Sequence, residues 1–374
     1  MDSSEFPHDP GLIYLNHAGV APWPQRTADA IRAFAEQNVR SGARNYPRWG
    51  QVEQRLRQRL ARLINAPSSA DTALVKNTSE GLSFIAYGLD WQPGDAVVIN
   101  SHEFPSNRVV RESLAERYGV EVRDVDLSRA PDPEAALIDA LDRRTRLLAV
   151  SSVQYASGLR MDLERLAAAC RRHGALLCVD AIQSLGVLPL DVQALQPDFV
   201  VADGHKWMLG PEGIGLFYSR PEARDRLRLT ELGWHSLENA GDFDARDWQI
   251  AASARRFECG SPNMLGIFGL EASLSLLEEI GPAELEKRVL ANARHLIEAI
   301  RRQPRLELLS AGEPGRHAGI VTFRVAGRDS RQVYRQLMDN GVVCANRGGG
   351  IRFSPHFYNT PEQLDAALEL ALQA

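Results

Sequence analysis

From about residue 50 to residue 219 the chain alternates between helical and strand-like hydrophobic patterns. Val52, Leu56, Leu60 and Leu63 recur at helical spacing among arginines and glutamines, which predicts an amphipathic helix. Five short apolar runs follow: AVVIN (96–100), LLAVSSV (147–153), ALLCVD (175–180), DFVVAD (198–203) and GIGLFY (213–218). Helical patterns near 106–118, 133–142 and 162–173 separate the first four. Runs that are apolar throughout suit strands covered on both faces, so the alternation predicts an α/β fold with a mostly parallel sheet. After about residue 265 the rhythm changes to two helical stretches (266–280 and 282–302), short strands near 318–326, 341–345 and 350–354, and a last helix after Pro361. This predicts a large α/β domain over 18–265 and a smaller α+β domain formed by 1–17 and 266–374.

Composition narrows the function classes. With 43 basic against 48 acidic residues the net charge is −5, which argues against nucleic acid or an anionic membrane as partner. The four cysteines (Cys170, Cys178, Cys259, Cys344) form no CxxC pair, and the nine histidines show no HExxH spacing, so no metal site is expected. Reduced packing cysteines and an acidic, polar N-terminus without an apolar signal core point to a cytoplasmic protein. The longest apolar stretch, 175–190, is broken by Asp180 and Gln183 and falls short of the ~20 residues a membrane span needs. Only three basic residues are lysines: Lys76, Lys206 and Lys287. Arginine serves on a solvated surface but cannot form a Schiff base, so each lysine draws attention.

Lys206 lies in ADGHKWMLGPEGIG, just beyond the strand DFVVAD, at the carboxyl edge where open α/β sheets bind ligands. Asp180 ends the strand ALLCVD at the same edge, with Gln183 three residues later. A lysine and a carboxylate so placed match the needs of pyridoxal phosphate (PLP): an amine for the aldehyde and an anion for the ring nitrogen. The segment Lys76-Asn77-Thr78-Ser79-Glu80-Gly81 precedes a helical stretch, and small hydroxyl residues at a helix start suit a phosphate. Asn77 and Glu80 also have capping-box spacing, so helix capping accounts for part of that pattern. His205 is a further candidate phosphate donor.

The stretch VDAIQSLGVLPLDVQALQPDFVVADGHKWMLGPEGIG resembles the PLP-lysine region of the class V aminotransferase family, which includes cysteine desulfurases, selenocysteine lyases and isopenicillin N epimerase-like proteins. YLNHAGVAP (14–22), NTSEGL (77–82), EFPSN (103–107), RFECGSPN (256–263) and IRFSPHFYNT (351–360) agree with the family in order and spacing. The resemblance implies the PLP-dependent transferase fold type I and a homodimer acting on a small amino acid. It makes Lys206 the Schiff-base lysine and proton carrier, and Asp180 the partner of the pyridine nitrogen. Gln183 would sit near the ring's phenolic oxygen, and Phe104 would stack on the ring. Ser79, Glu80 and His205 fall in the phosphate-binding segments, while Ser261 would reach the phosphate of the other subunit. Arg352 would pair with the substrate α-carboxylate, and Arg347 is a second candidate.

The sequence departs from the desulfurases at two places. Their nucleophilic cysteine lies on a loop that here holds Gly348–Gly350, while Cys344 falls earlier, in an apolar run that predicts a packing role. Phe104 stands where desulfurases place a histidine. Asp203 occupies a place where many relatives have a small hydroxyl near the phosphate, so its carboxylate has to turn away or find a donor. These departures predict an aminotransferase or lyase without a persulfide cysteine. The alternatives are a cysteine desulfurase or selenocysteine lyase, an amino-acid epimerase, and a non-catalytic PLP-binding protein. Trp234-His235, in an expected loop, is a weaker candidate for the substrate pocket, and the arginine-rich helix around Arg55, Arg57, Arg59 and Arg62 reads as a solvated face.

Overall fold

The computed structural model describes residues 3–373. Seven strands form the main sheet: β1 (Thr72–Val75), β2 (Ala96–Asn100), β3 (Glu121–Val125), β4 (Thr145–Ser151), β5 (Leu176–Asp180), β6 (Phe199–Asp203) and β7 (Gly215–Ser219). Their spatial order is β1-β7-β6-β5-β4-β2-β3. All neighbours are parallel except β7, which runs antiparallel to both β1 and β6. The central strands β2, β5, β6 and β7 are buried at every position, which is why they read as unbroken apolar runs. From β2 the chain steps one way to β3 and then back past β2 to β4. That reversal opens a crevice beyond the carboxyl ends of β2 and β4.

Helices α1 (Gln25–Ser41), α2 (Tyr46–Leu63), α3 (Thr78–Gly88), α4 (Pro105–Tyr118), α5 (Pro133–Asp139) and α6 (Leu163–His173) cover the two faces. Helix α6 shows how local chemistry sets the bounds. Asp162 caps its start by accepting from Arg165 N, and Gly174 ends it in the left-handed conformation at φ 71°. Helix α2 buries Trp49, Val52, Leu56 and Leu60, as its periodicity predicts. Its arginines are not uniformly solvated. Arg55, Arg59 and Arg62 pair with Glu271 and Glu278, whereas Arg57 is buried and donates through both terminal nitrogens to Glu258, each at 2.6 Å.

A second, four-stranded antiparallel sheet is ordered Ala345–Arg347 (β10), Gly350–Phe353 (β11), Val321–Val325 (β9) and Leu306–Leu308 (β8). Helices α7 (Met264–Ile280), α8 (Pro282–Arg302), α9 (Ser330–Asp339) and α10 (Pro361–Gln373) accompany it, with α7 packed on α1 and α2. The expected strand near 341–345 is split. Val342 and Val343 pair in parallel with Ile13 and Tyr14, and the chain then bends at Cys344 into β10. Gly348 and Gly349, both at positive φ, make the tight turn between β10 and β11. No helix of the described residues is long and apolar enough to cross a membrane.

Candidate active site

The crevice is a cavity of about 450 Å³ lined by Lys206, Asp180, Gln183, His205, Ser79, Phe104, Arg352 and Arg347. Ser79, Phe104, Asp180, Gln183, His205 and Lys206 end or follow strands at the carboxyl edge of the main sheet, and Arg347 and Arg352 come to the same cavity from β10 and β11 of the second sheet. A larger cavity of about 530 Å³ lies behind Ser152 and Ser184, where Arg316 is already paired with Glu134; it holds none of these groups.

The turn after β6 aims the lysine. Gly204 N donates to Ile214 O (2.9 Å), Leu209 N to Lys206 O (3.0 Å) and Gly210 N to Gly204 O (2.8 Å). Leu209 is fully buried with φ +59°, a conformation a branched residue adopts only when its surroundings impose it. Lys206 Nζ makes no hydrogen bond among the described residues and lies 5.6 Å from the centre of the Phe104 ring. Burial holds the Lys206 amine below its ordinary range, opposed by the charge of Asp180. Asp180 is likewise pushed up by burial, with Glu103 adding to the shift and Lys206 and Arg111 opposing it. The Asp180 carboxylate accepts one hydrogen bond, from Ile182 N at 3.1 Å, and so keeps capacity for another partner.

Phe104 is held by the residue before it. Glu103 is buried and accepts from Asn100 Nδ2 (2.6 Å), Asn107 Nδ2 (3.0 Å), Ser151 N (2.8 Å), Ser151 Oγ (2.5 Å) and Gln154 Nε2 (3.1 Å). This carboxylate ties the ends of β2 and β4 to the start of α4. Phe104 then meets Tyr155 edge-on at 5.1 Å across the cavity.

At the opposite wall, Arg352 on β11 is buried. Its Nη1 donates to Tyr155 O (2.8 Å) and its Nη2 to Asn16 Oδ1 (3.3 Å), while Nε has no partner. Burial, with the nearby Arg347, lowers its pKa to about 10, so the guanidinium is still charged at neutral pH. A buried cation on the cavity wall with no carboxylate partner is the complement of a ligand carboxylate.

The start of α3 supplies the anion cradle. Asn77 Oδ1 caps it by accepting from Glu80 N at 2.9 Å, and the first-turn amides of Thr78 and Ser79 are those that helix geometry leaves without an internal acceptor. Ser79 Oγ donates to Ser106 Oγ at 2.9 Å, both on the cavity wall. Asp203 Oδ1 lies 3.1 Å from His205 Nδ1, yet the direction forms no hydrogen bond and both buried atoms stay unpartnered. Asp203 has thus turned toward the histidine, and no firm donor meets it.

Two expected residues do not join this cavity. The Glu80 carboxylate turns back to accept from Lys76 N (2.6 Å) and pairs with Lys76 Nζ (2.8 Å), one residue before the N-cap amide that a capping box would use. Ser261 is exposed on a turn beside a separate cavity with Lys76, Glu80 and Cys259. Trp234 and His235 are also outside the Lys206 cavity, on a short 3₁₀ turn. Conversely, the sequence reading missed Asn16, Tyr155 and Ser106. Tyr155 follows β4 at the carboxyl edge, and that position alone is a usable signal. Of the cysteines, none lines the Lys206 cavity. Cys344 is buried, its thiol pushed up to about 12 by burial.

These groups fit PLP. There is a free buried amine, a carboxylate with spare acceptor capacity, an aromatic face and a helix N-terminus with unpartnered polar atoms beside it. A family model described as aminotransferase class V matches residues 13–367. A probable cysteine desulfurase of Methanothermobacter thermautotrophicus is 31% identical, with 94% of this chain and 92% of that protein aligned. A cysteine desulfurase of Klebsiella pneumoniae (strain 342) is 30% identical over 95% of this chain and 91% of its own. Among solved structures, a mutant of C-DES with glycine covalently linked to the PLP cofactor superposes with a TM-score of 0.92 at 25% identity, covering 99% of both chains. The complex of the cystine C–S lyase C-DES with its product cysteine persulfide gives 0.90 at 25% identity, over 97% of this chain and 98% of that one. The likeness bears out the fold type I architecture and the PLP dependence expected from the sequence.

Proposed function

Because the chain belongs to the class V aminotransferase family, whose relatives and structural neighbours above are PLP enzymes of sulfur removal, we propose that it is a C–S lyase. It cleaves the Cβ–S bond of a cystine-type amino acid by β-elimination, without a protein cysteine to carry sulfur. The observation that carries this reading is the cavity lining: Lys206, Asp180 and Arg352 converge, and no thiol is among them.

PLP, when bound, supplies the electron sink that makes a Cα–H bond acidic. The positions of this chain's residues support the following roles. Arg352 orients the substrate through its α-carboxylate, using the remaining hydrogens of its terminal nitrogens. Lys206 Nζ, kept in reach of the free-amine state by burial, takes the Cα proton. Asp180 would hold the ring nitrogen of the cofactor in its protonated form. Phe104 would pack on the ring, and Ser79, His205 and the α3 amides would hold the phosphate. The Cβ–S bond then breaks with its electron pair on sulfur. A persulfide anion leaves, and the three-carbon remainder adds water to give pyruvate and ammonium. A persulfide is a good leaving group, so the absence of a proton on Phe104 is no obstacle. The proposal includes a homodimer in which the exposed Ser261 turn reaches the phosphate of a second copy's site. It also includes a division into a large domain, 18–265, and a small one from the remaining segments.

A cysteine desulfurase is the second reading, favoured by the names of the curated relatives. It needs a nucleophilic thiol at the substrate, where this chain has Gly348–Gly350. Product analysis separates the two. The holoenzyme is incubated with L-cystine, L-cysteine, or L-alanine plus a keto acid. Pyruvate and ammonium from L-cystine support the lyase. Alanine from L-cysteine supports the desulfurase, and exchange of amino groups or inversion at Cα would refute both.

A further inference from the structure

Trp207 follows the lysine in sequence but takes no part in the proton transfer above. Its indole is wholly buried, and Nε1 donates to Gln183 Oε1 at 3.1 Å. At the other end of the same amide, Gln183 Nε2 donates to Ala18 O at 3.1 Å. An indole nitrogen only donates and a main-chain carbonyl only accepts. The amide is therefore fixed in one of its two orientations from both ends, oxygen toward Trp207 and nitrogen toward Ala18.

The indole itself cannot turn away. It packs against His17 and His356, at ring-centre distances of 6.4 Å and 5.6 Å, and His356 Nε2 donates to Trp207 O at 3.2 Å. Gly319 leaves the space it fills, since a Cβ there would come within 2.5 Å of Trp207 Cη2. Gln183 also borders the Lys206 cavity. With its oxygen held by Trp207 and one amide hydrogen by Ala18, the donor that Gln183 has left is the second Nε2 hydrogen.

We propose that Trp207 is a positioning residue for the cofactor. By holding Gln183 Oε1 it makes Gln183 present an N–H, and not a carbonyl, to the phenolic oxygen of the PLP ring. This rests on the reading of Gln183 as the neighbour of that oxygen. A donor there stabilises the oxygen as an anion and makes it a weaker acceptor for the proton on the lysine–cofactor bond. The donor therefore lowers the pH at which the bound chromophore loses that proton.

The test is a spectrophotometric pH titration of the PLP-loaded protein, with PLP affinity measured by equilibrium dialysis. Trp207→Phe, Gln183→Leu and the double variant are compared with the parent. The proposal predicts that each single change raises the chromophore midpoint by roughly half to one pH unit, the worth of one hydrogen bond. It also predicts weaker PLP binding in both and no further shift in the double variant. A parental midpoint for Trp207→Phe beside a shifted Gln183→Leu overturns the proposal and leaves the Gln183 contact standing. A parental midpoint for Gln183→Leu overturns the underlying reading of Gln183, and additive shifts in the double variant show Trp207 acting by another route. If Trp207→Phe does not fold, benzothienylalanine at 207 keeps the ring shape, replaces N–H by sulfur and gives the same comparison.

Discussion

Replacing Arg352 with lysine probes substrate recognition most sharply. In the parent, Nη1 is engaged by Tyr155 O at 2.8 Å and Nη2 by Asn16 Oδ1 at 3.3 Å, which leaves the second hydrogen of each terminal nitrogen to grip a carboxylate. The cost of burying the cation is already met in the folded protein, so both substrate bonds count in full. A charge-assisted hydrogen bond contributes about 1.5–3 kcal/mol, and a lysine at 352 retains at best one of the two. The loss of about 1.5–3 kcal/mol corresponds to a roughly 10- to 150-fold fall in kcat/KM. Because the carboxylate does not react, its contact is the same in ground and transition states, and the change appears in KM with kcat nearly preserved. Pyruvate release from L-cystine, followed continuously, gives both constants. Cystamine, which lacks the carboxylates, should show no added penalty. An Arg352→Lys enzyme with parental KM, or one that loses kcat at constant KM, would refute the assignment.

Glu103→Leu leaves five buried donors without their acceptor and should cost at least about 3 kcal/mol in urea unfolding. Glu103→Gln should cost only about 1 kcal/mol, since the Ser151 hydroxyl can rotate and Asn107, whose Oδ1 is unpartnered, can turn its amide; equal losses would contradict the network. Acid stability should fall through a defined window. Burial pushes His356 down to about 3 and His17 down as well, so below pH ~6.5 the unfolded chain binds protons that the native state refuses. The stabilisation is complete above that pH and is lost as the pH falls toward 3, with His356 alone accounting for about 2 kcal/mol by pH 5. His356→Gln should flatten the unfolding midpoint over this range, and an unchanged pH dependence would count against the assignment.

Much of the fold was legible because burial on both faces writes itself as unbroken apolar runs, as in AVVIN and DFVVAD. The strand-edge rule then places Asp180 and Lys206 together. Short or exposed strands escaped: TALV is four residues, and EVRDV is an edge strand with its charges outward. The antiparallel return of β7 is also invisible in an apolar run, which carries no direction. Glu80 was misplaced because one residue type serves a capping box and a binding loop equally well. Arg57 read as surface because its partner Glu258 lies 201 residues away, and periodicity reports nothing at that range. Asn16 meets Arg352 through a parallel pairing of residues 13–14 with 342–343, a register that two-residue segments do not encode.

The central claim, sulfur release without a protein-bound persulfide, is tested by intact-protein mass spectrometry of the PLP-loaded enzyme quenched during turnover of L-cystine. The parent and Cys344→Ala are run side by side, with pyruvate and alanine quantified in the same samples. The account predicts pyruvate at equal rates from both proteins and no added sulfur atom on either. A sulfur adduct on the parent that disappears in Cys344→Ala, together with alanine as the product, would contradict it.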